Sequence, residues 1–278
     1  MKKIMAFILG MIAFTPLSFS QTDYPFNVKI SGKGKTPVIL IPGFACSGEV
    51  WNGTLKLLEP HYKCYTLTMH GFAGAKADTA PSVKFWISSI DKYIKNEHLQ
   101  KPIIIGHSIG GVMAEWLAAD YPEDIAKIVV VDAAPCLFAL NDSTYKAYEH
   151  PNCTFMANFY KSMDSARFRA MQTMSMGSLV KDSTMLDTIV LWSVLSDRNT
   201  LGQIFCQFRN IDMRDKLAQI TCPALILLEP SFKGEKGITE QYSKLKTAQL
   251  EYANKGLHFI MYDDKEWYLN ELKAFLKL

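Results

Sequence analysis

The chain has 278 residues, 49% of them hydrophobic, and its 30 basic and 27 acidic residues leave a formal net charge of +3. This length and apolar content suffice for one large domain with a sizeable core. The near balance of charge provides no basic surface for nucleic acid or an acidic membrane, so partners of those kinds are not expected.

The first 20 residues have the pattern of a signal peptide. Two lysines, Lys2 and Lys3, precede the apolar stretch Ile4–Phe14, and Ser18-Phe19-Ser20 forms a small-x-small cleavage site. We therefore expect cleavage near Ser20 and Gln21 and a periplasmic or secreted protein. No later run supplies the ~20 continuous apolar residues of a membrane span, so no stable membrane anchor is predicted.

Short apolar runs of strand character follow, with helical patterns between most of them. They are Pro37–Ile41, Lys63–Thr68, Pro102–Ile105, Lys127–Val131, Ala224–Leu228 and Gln249–Tyr252. This alternation predicts an α/β fold, with a mostly parallel central sheet covered by helices on both faces.

The strand signal disappears between Pro135 and Pro223, where helical stretches such as Ala157–Met176 and Thr184–Arg198 carry many methionines and aromatic residues. We predict a helical cap over residues 136–212, inserted into a core formed by residues 21–135 and 213–278. Its methionines could pack the cap or line an adaptable apolar pocket. Apolar cap residues expected to close over a substrate are Trp192, Phe155, Phe159 and Phe205.

The motif Gly106-His107-Ser108-Ile109-Gly110-Gly111 directly follows the Ile-rich run and precedes a helical pattern. Glycines two positions before and after Ser108 are what a sharp strand-to-helix turn requires, because backbone passes close to backbone there. The pattern predicts a nucleophile elbow with Ser108 at its tip.

A serine nucleophile needs a general base and donors for an oxyanion. His258, in Gly256-Leu257-His258-Phe259, follows the last predicted strand and is the favoured base, whereas His107 is expected to be structural and His70 could border the site. The Gly43 turn after Ile41 can aim the amide of Phe44 at the site, opposite the amide of Ile109.

Together these motifs resemble the α/β-hydrolase fold family, in particular its lid-bearing serine hydrolases and esterases. The resemblance covers about Thr36 to Leu278 and includes Pro42-Gly43-Phe44, Gly71-Phe72-Ala73-Gly74 and Val131-Asp132-Ala133-Ala134-Pro135. Members usually carry a histidine where this chain has Pro42. The relatives with an aspartate nucleophile do not match, because position 108 is serine.

The carboxylate that would orient His258 departs from the family pattern, since Phe232 stands where an aspartate is expected. Asp132 lies at a strand end that some members use for the acid, and it is the favoured candidate. Glu229, at the end of the next strand, is the alternative. Glu235 would require the loop to fold back.

The resemblance implies hydrolysis of an ester, thioester or lactone of a small, mostly apolar substrate through a Ser-His-acid triad, without metal or organic cofactor. An acyltransferase or perhydrolase using the same serine, and a non-catalytic ligand-binding member of the fold, remain alternatives. Six cysteines permit disulfides in an oxidising compartment, and Cys136 and Cys153 flank the start of the cap and could staple it. Their spacing selects no pairing and fits no zinc site.

Overall fold

The structure, a computed structural model, describes residues 24–278. The predicted signal peptide, residues 1–20, lies outside them. Seven strands form one sheet in the order β1-β3-β2-β4-β5-β6-β7. They are β1 (Phe26–Ser31), β2 (Pro37–Ile41), β3 (Lys63–Met69), β4 (Ile103–His107), β5 (Lys127–Val131), β6 (Ala224–Leu228) and β7 (Ala248–Tyr252). All neighbours are parallel except β1, which runs antiparallel to β3. The predicted fold class is confirmed.

Strands β2, β4 and β6 are buried along their whole length, which explains why they read as unbroken apolar runs. Strand β1 differs, because it lies at the sheet edge and has one buried residue, Phe26, while Ile30 is 49% exposed. Strand β1 was not predicted from the sequence, because its residues form no continuous apolar run.

Helices cover both faces of the sheet. In the described residues they are α1 (Asn52–Leu58), α2 (Val83–Asn96), α3 (Ile109–Asp120), α4 (Thr154–Ser162), α5 (Ser165–Gly177), α6 (Ser183–Leu195), α7 (Arg198–Arg209), α8 (Lys236–Tyr242), α9 (Ile260–Asp263) and α10 (Lys265–Leu276). Alternate residues of β2 face opposite layers, since Ile39 packs with α2 and α3 while Leu40 packs with α1 and α10. Within residues 24–278, no helix has the length and apolar character to cross a membrane.

The inserted segment between β5 and β6 contains α4 to α7. Each of the two helical stretches predicted in this segment runs past the end of one helix into the next. An aspartate caps the start of that next helix. Asp164 caps α5 by accepting a hydrogen bond from the amide of Arg167, and Asp197 caps α7 by accepting from the amide of Thr200. Both aspartates therefore end one helical run and begin the next.

The two ends of the cap meet at the core, where the amide of Met213 donates to the carbonyl of Pro135 at 2.9 Å. Inside the cap, α4 and α7 pack so closely that a Cβ on Gly202 would lie 2.4 Å from the Cα of Ala157. A disulfide joins Cys153, just before α4, to Cys206 in α7. Cys136 is a free buried thiol, so it does not staple the cap.

Candidate active site

Ser108 occupies the turn between β4 and α3 with φ 55° and ψ −123°, a strained conformation for a side chain with a Cβ. The flanking glycines permit this turn. A Cβ on Gly106 would lie 2.0 Å from the carbonyl oxygen of Gly110, and a Cβ on Gly110 would lie 2.4 Å from that of Ile41. The amide of Ser108 donates to the carbonyl of Val131 at 2.9 Å, which ties the turn to β5.

Asp132 and His258 are brought together at the carboxyl edge of the sheet. Asp132 follows β5, is 3% exposed and has φ 49°. Its Oδ2 lies 2.6 Å from Nδ1 of His258, and its Oδ1 accepts a hydrogen bond of 2.7 Å from the amide of Glu229. Because an ionised carboxylate only accepts, Nδ1 carries the proton of this pair, and Nε2 of the neutral ring is left to accept another.

The other two candidate acids, Glu229 and Glu235, are not hydrogen-bonded to His258. The carboxylate of Glu229 accepts a hydrogen bond from the hydroxyl of Ser231 and lines the cavity beside His258. Burial raises the pKa of Glu229 above its ordinary value, and the Ser231 hydrogen bond opposes that shift. Glu235 is exposed before α8. Of the three, Asp132 is the one hydrogen-bonded to His258.

His107 supports the loop that carries His258. Its Nε2 lies 3.1 Å from the carbonyl oxygen of His258, and since a carbonyl only accepts, Nε2 holds the proton. Its Nδ1 is buried without a hydrogen-bond partner among the described residues. Burial, with the nearby His258 adding to it, lowers the pKa of His107 well below its ordinary value. His107 is therefore a neutral structural residue in direct contact with the predicted base.

Gly43 lies against this histidine, because a Cβ there would come within 2.6 Å of Nδ1 of His107 and 3.4 Å of the Cβ of Ser108. The loop that begins at Gly43 therefore passes directly over Ser108. The amides of Phe44 and Ile109 donate to no other backbone group in the described part of the chain. Both are free to donate to an oxyanion.

The site opens into a cavity of about 510 Å³ that Ser108, Asp132 and His258 line together. Most of its lining is apolar. Apolar side chains from the core and the cap include Phe44, Leu137, Leu140, Met171, Phe205 and Phe208. A cavity of this size and character suits a small, mostly apolar molecule.

Three of the four cap residues expected to cover the substrate, Trp192, Phe155 and Phe159, do not line the cavity. Phe155 is 78% exposed and Phe159 is 43% exposed on the outer side of α4. The reason is that α4 turns its other face, with Ala157 and Tyr160, toward the interior. Trp192 is buried within the cap, and Phe205 lines the cavity as expected.

A sequence model of the alpha/beta hydrolase fold matches residues 36–174, half of the chain. The chain belongs to the α/β-hydrolase fold family. Among characterised relatives, it is 25% identical over 202 residues to the pimeloyl-[acyl-carrier protein] methyl ester esterase of Proteus mirabilis, with 70% of this chain and 74% of the relative covered.

Solved structures show the same α/β-hydrolase fold. An esterase from Exiguobacterium antarcticum superposes with a TM-score of 0.76 at 19% identity, covering 91% of this chain and 96% of that one. An enol-lactonase from Burkholderia xenovorans superposes with a TM-score of 0.74 at 13% identity over the same shares.

In this α/β-hydrolase, the loop that follows Asp132 is held in place by a buried polar pair, Tyr242 and Glu115. The hydroxyl of Tyr242 lies 2.8 Å from Oε1 of Glu115 and 2.9 Å from the carbonyl oxygen of Ala133, next to Asp132. Burial raises the pKa of Glu115 to about 8, although the Tyr242 hydrogen bond lowers it. A protonated Glu115 can donate to the phenol oxygen while the phenol donates to Ala133.

The polar residues that the cap contributes to the cavity were not predicted from the sequence. These are Gln172, Ser175 and Ser178, on or just after α5. The sequence of α5 shows no polar face at helical spacing, so no local pattern predicted that these three residues would face a cavity. His70, in contrast, is hydrogen-bonded to Asp78 at 3.0 Å and does not line the cavity.

Proposed function

We propose that this chain is a serine carboxylic ester hydrolase acting on small, mostly apolar esters, thioesters or lactones. The observation that carries the proposal is the Asp132–His258 hydrogen bond of 2.6 Å, in the same cavity as a serine held at a strained strand-to-helix turn. Relatives named as methyl ester esterases support the ester class.

In the proposed mechanism, Ser108 attacks the acyl carbon while Nε2 of His258 takes the hydroxyl proton. Asp132 holds the ring in the required tautomer and stabilises the imidazolium. The amides of Phe44 and Ile109 bind the oxyanion. His258 then protonates the leaving alcohol, and water, activated by the same imidazole, releases the acid from the serine ester.

A fluorophosphonate probe tests the nucleophile, because such a probe labels only an activated serine. We expect stoichiometric labelling of Ser108 in the wild-type protein and none in Ser108→Ala. A panel of esters, thioesters and lactones of graded chain length then defines the substrate, with alcohol or peroxide added to detect acyl transfer. A wild-type protein that takes up no label would show that the site does not act as a serine hydrolase.

We also propose that the protein is exported and works in an oxidising compartment. The support is the signal-like pattern of residues 1–20 together with the Cys153–Cys206 disulfide, since disulfides persist mainly outside the cytosol. Expression of the full chain followed by N-terminal sequencing should give a mature start at Gln21. Retention of Met1 in the cell extract would contradict export.

A further inference from the structure

The charge lining the cavity is of one sign. The acidic residues Asp132 and Glu229 line it, whereas no lysine or arginine of residues 24–278 does. The two oxygens of Asp132 are both occupied, one by His258 and the other by the amide of Glu229. Glu229 therefore supplies the carboxylate that is available to a molecule in the cavity.

Both the backbone and the side chain of Glu229 are held by hydrogen bonds. It directly follows β6, and its amide is anchored to Asp132 at 2.7 Å. The side chain is half-buried, with Oε1 held by Ser231, while Oε2 has no hydrogen-bond partner in the described part of the chain. An ionised Glu229 would thus present negative charge to the cavity beside the predicted base.

This charge matters more inside the cavity than it would in bulk water. Apolar side chains displace water from most of the lining, and charges separated by low-dielectric surroundings interact more strongly. A second anion in the cavity would also lack any cationic side chain to pair with. An ester with a distal carboxylate therefore meets repulsion that a neutral ester of the same length does not.

We propose that Glu229 is a specificity-determining residue that selects against anionic esters, so that the site favours uncharged or cationic substrates. The inference rests on the proposed ester hydrolysis and deepens it. It also bears on product release, because hydrolysis leaves a new carboxylate in a cavity that already holds Glu229. Repulsion between the two favours departure of the product.

The test compares methyl esters of equal chain length that end in a carboxylate, a methyl ester or a trimethylammonium group. For the wild-type protein we expect kcat/KM to rise in that order. In Glu229→Gln the neutral-to-anionic ratio of kcat/KM should fall about tenfold, because removing one nearby charge relieves the repulsion. Glu229→Asp keeps the charge and should keep most of the discrimination.

Glu235→Gln is the matched control, since it removes a carboxylate from the same loop at an exposed position that does not line the cavity. The neutral-to-anionic ratio of kcat/KM in Glu235→Gln should equal that of the wild type. An unchanged ratio in Glu229→Gln, with hydrolysis of the neutral ester intact, would overturn this inference alone. Loss of all ester hydrolysis in Glu229→Gln, as deep as in Asp132→Asn, would instead make Glu229 the triad acid. Absence of both hydrolysis and Ser108 labelling in the wild type would overturn the proposed function and the inference with it.

Discussion

Oδ2 of Asp132 lies 2.6 Å from Nδ1 of His258, although 126 positions separate the two residues in the chain. The other oxygen, Oδ1, is held by the amide of Glu229, so the carboxylate cannot rotate without losing a hydrogen bond. This fixed orientation aims one carboxylate oxygen at the imidazole and determines which ring nitrogen is left to face the cavity.

Asp132→Asn should lower kcat by roughly 10³–10⁴-fold without unfolding the protein. The asparagine oxygen would stay with the Glu229 amide, and its NH₂ group would then face Nδ1 and favour the wrong imidazole tautomer. Steady-state kinetics on a neutral ester measures the effect. The matched comparison is Glu229→Gln on the same substrate, and a deeper loss there than in Asp132→Asn would transfer the acid role to Glu229.

Gly106→Ala should destabilise the protein by several kcal/mol, because the added Cβ would meet backbone at 2.0 Å and backbone cannot rotate away. Gly177→Ala is the control, since a Cβ at the end of α5 would have nothing within 4 Å. In Gly177→Ala the free energy of unfolding should change by no more than about 1 kcal/mol. Urea denaturation of both variants gives the comparison, and similar midpoints would contradict the close packing of the turn.

His107→Phe should lower kcat several-fold, because it removes the donor that holds the carbonyl of His258 while it keeps an aromatic ring in place. His107→Gln offers a new donor and should recover part of the loss. Thermal unfolding of both variants separates this effect from general destabilisation. Equal kcat in His107→Phe and the wild type would show that the hydrogen bond does not position the base.

Glu115 should make stability depend on pH. Its pKa is raised to about 8 in the folded protein from an ordinary value of 4.5, so between these values the folded state holds a proton that the unfolded state has lost. The resulting stabilisation is fully present below pH 4.5 and is lost as pH rises to 8, with a slope of up to about 1.4 kcal/mol per pH unit.

Glu115→Gln removes this titration and keeps a partner for Tyr242. The free energy of unfolding of Glu115→Gln, minus that of the wild type, should therefore rise from pH 5 to pH 8. Denaturant titrations at several pH values measure the difference. A difference that does not change with pH would mean that Glu115 is ionised throughout that range in the folded protein.

Reduction of the Cys153–Cys206 disulfide should lower the free energy of unfolding by about 2–4 kcal/mol, because the bond closes a loop between residues 53 positions apart. The double variant Cys153→Ser/Cys206→Ser should unfold at one temperature with or without dithiothreitol. Thiol titration of the denatured wild type should detect four free cysteines before reduction and six after it. Six thiols before reduction would contradict the disulfide.

The sequence identified the features whose cause is local. The elbow at Ser108 was predictable because neighbouring glycines are required within the same turn, and the parallel strands because burial on both faces makes them continuously apolar. For the partner of His258 the sequence favoured Asp132 but left Glu229 open, because the two residues end adjacent strands, and which carboxylate meets the imidazole depends on how the two strand ends pair in space.

The cap was least predictable in detail. Its helical content and the aspartates that begin its helices are written in the sequence, but the direction in which Phe155 and Phe159 point depends on how α4 packs against α7. That packing is set by the close approach of Gly202 and Ala157, 45 positions apart, and by the disulfide between Cys153 and Cys206. No pattern within α4 alone distinguishes the two faces.

The hydrogen bond between Met213 and Pro135 joins the two ends of the inserted segment, so we expect the cap to be exchangeable. A segment that leaves and re-enters the core at one point can be replaced by another of different length without lengthening any connection in the sheet. Grafting a foreign cap between these two residues would leave Ser108 and Asp132 at the ends of β4 and β5, but the loop of His258 would lose the hydrogen bond from the amide of Phe259 to the carbonyl of Leu179 in the cap. Substrate range could then be redesigned by recombination, provided that the grafted segment supplies an acceptor for the amide of Phe259.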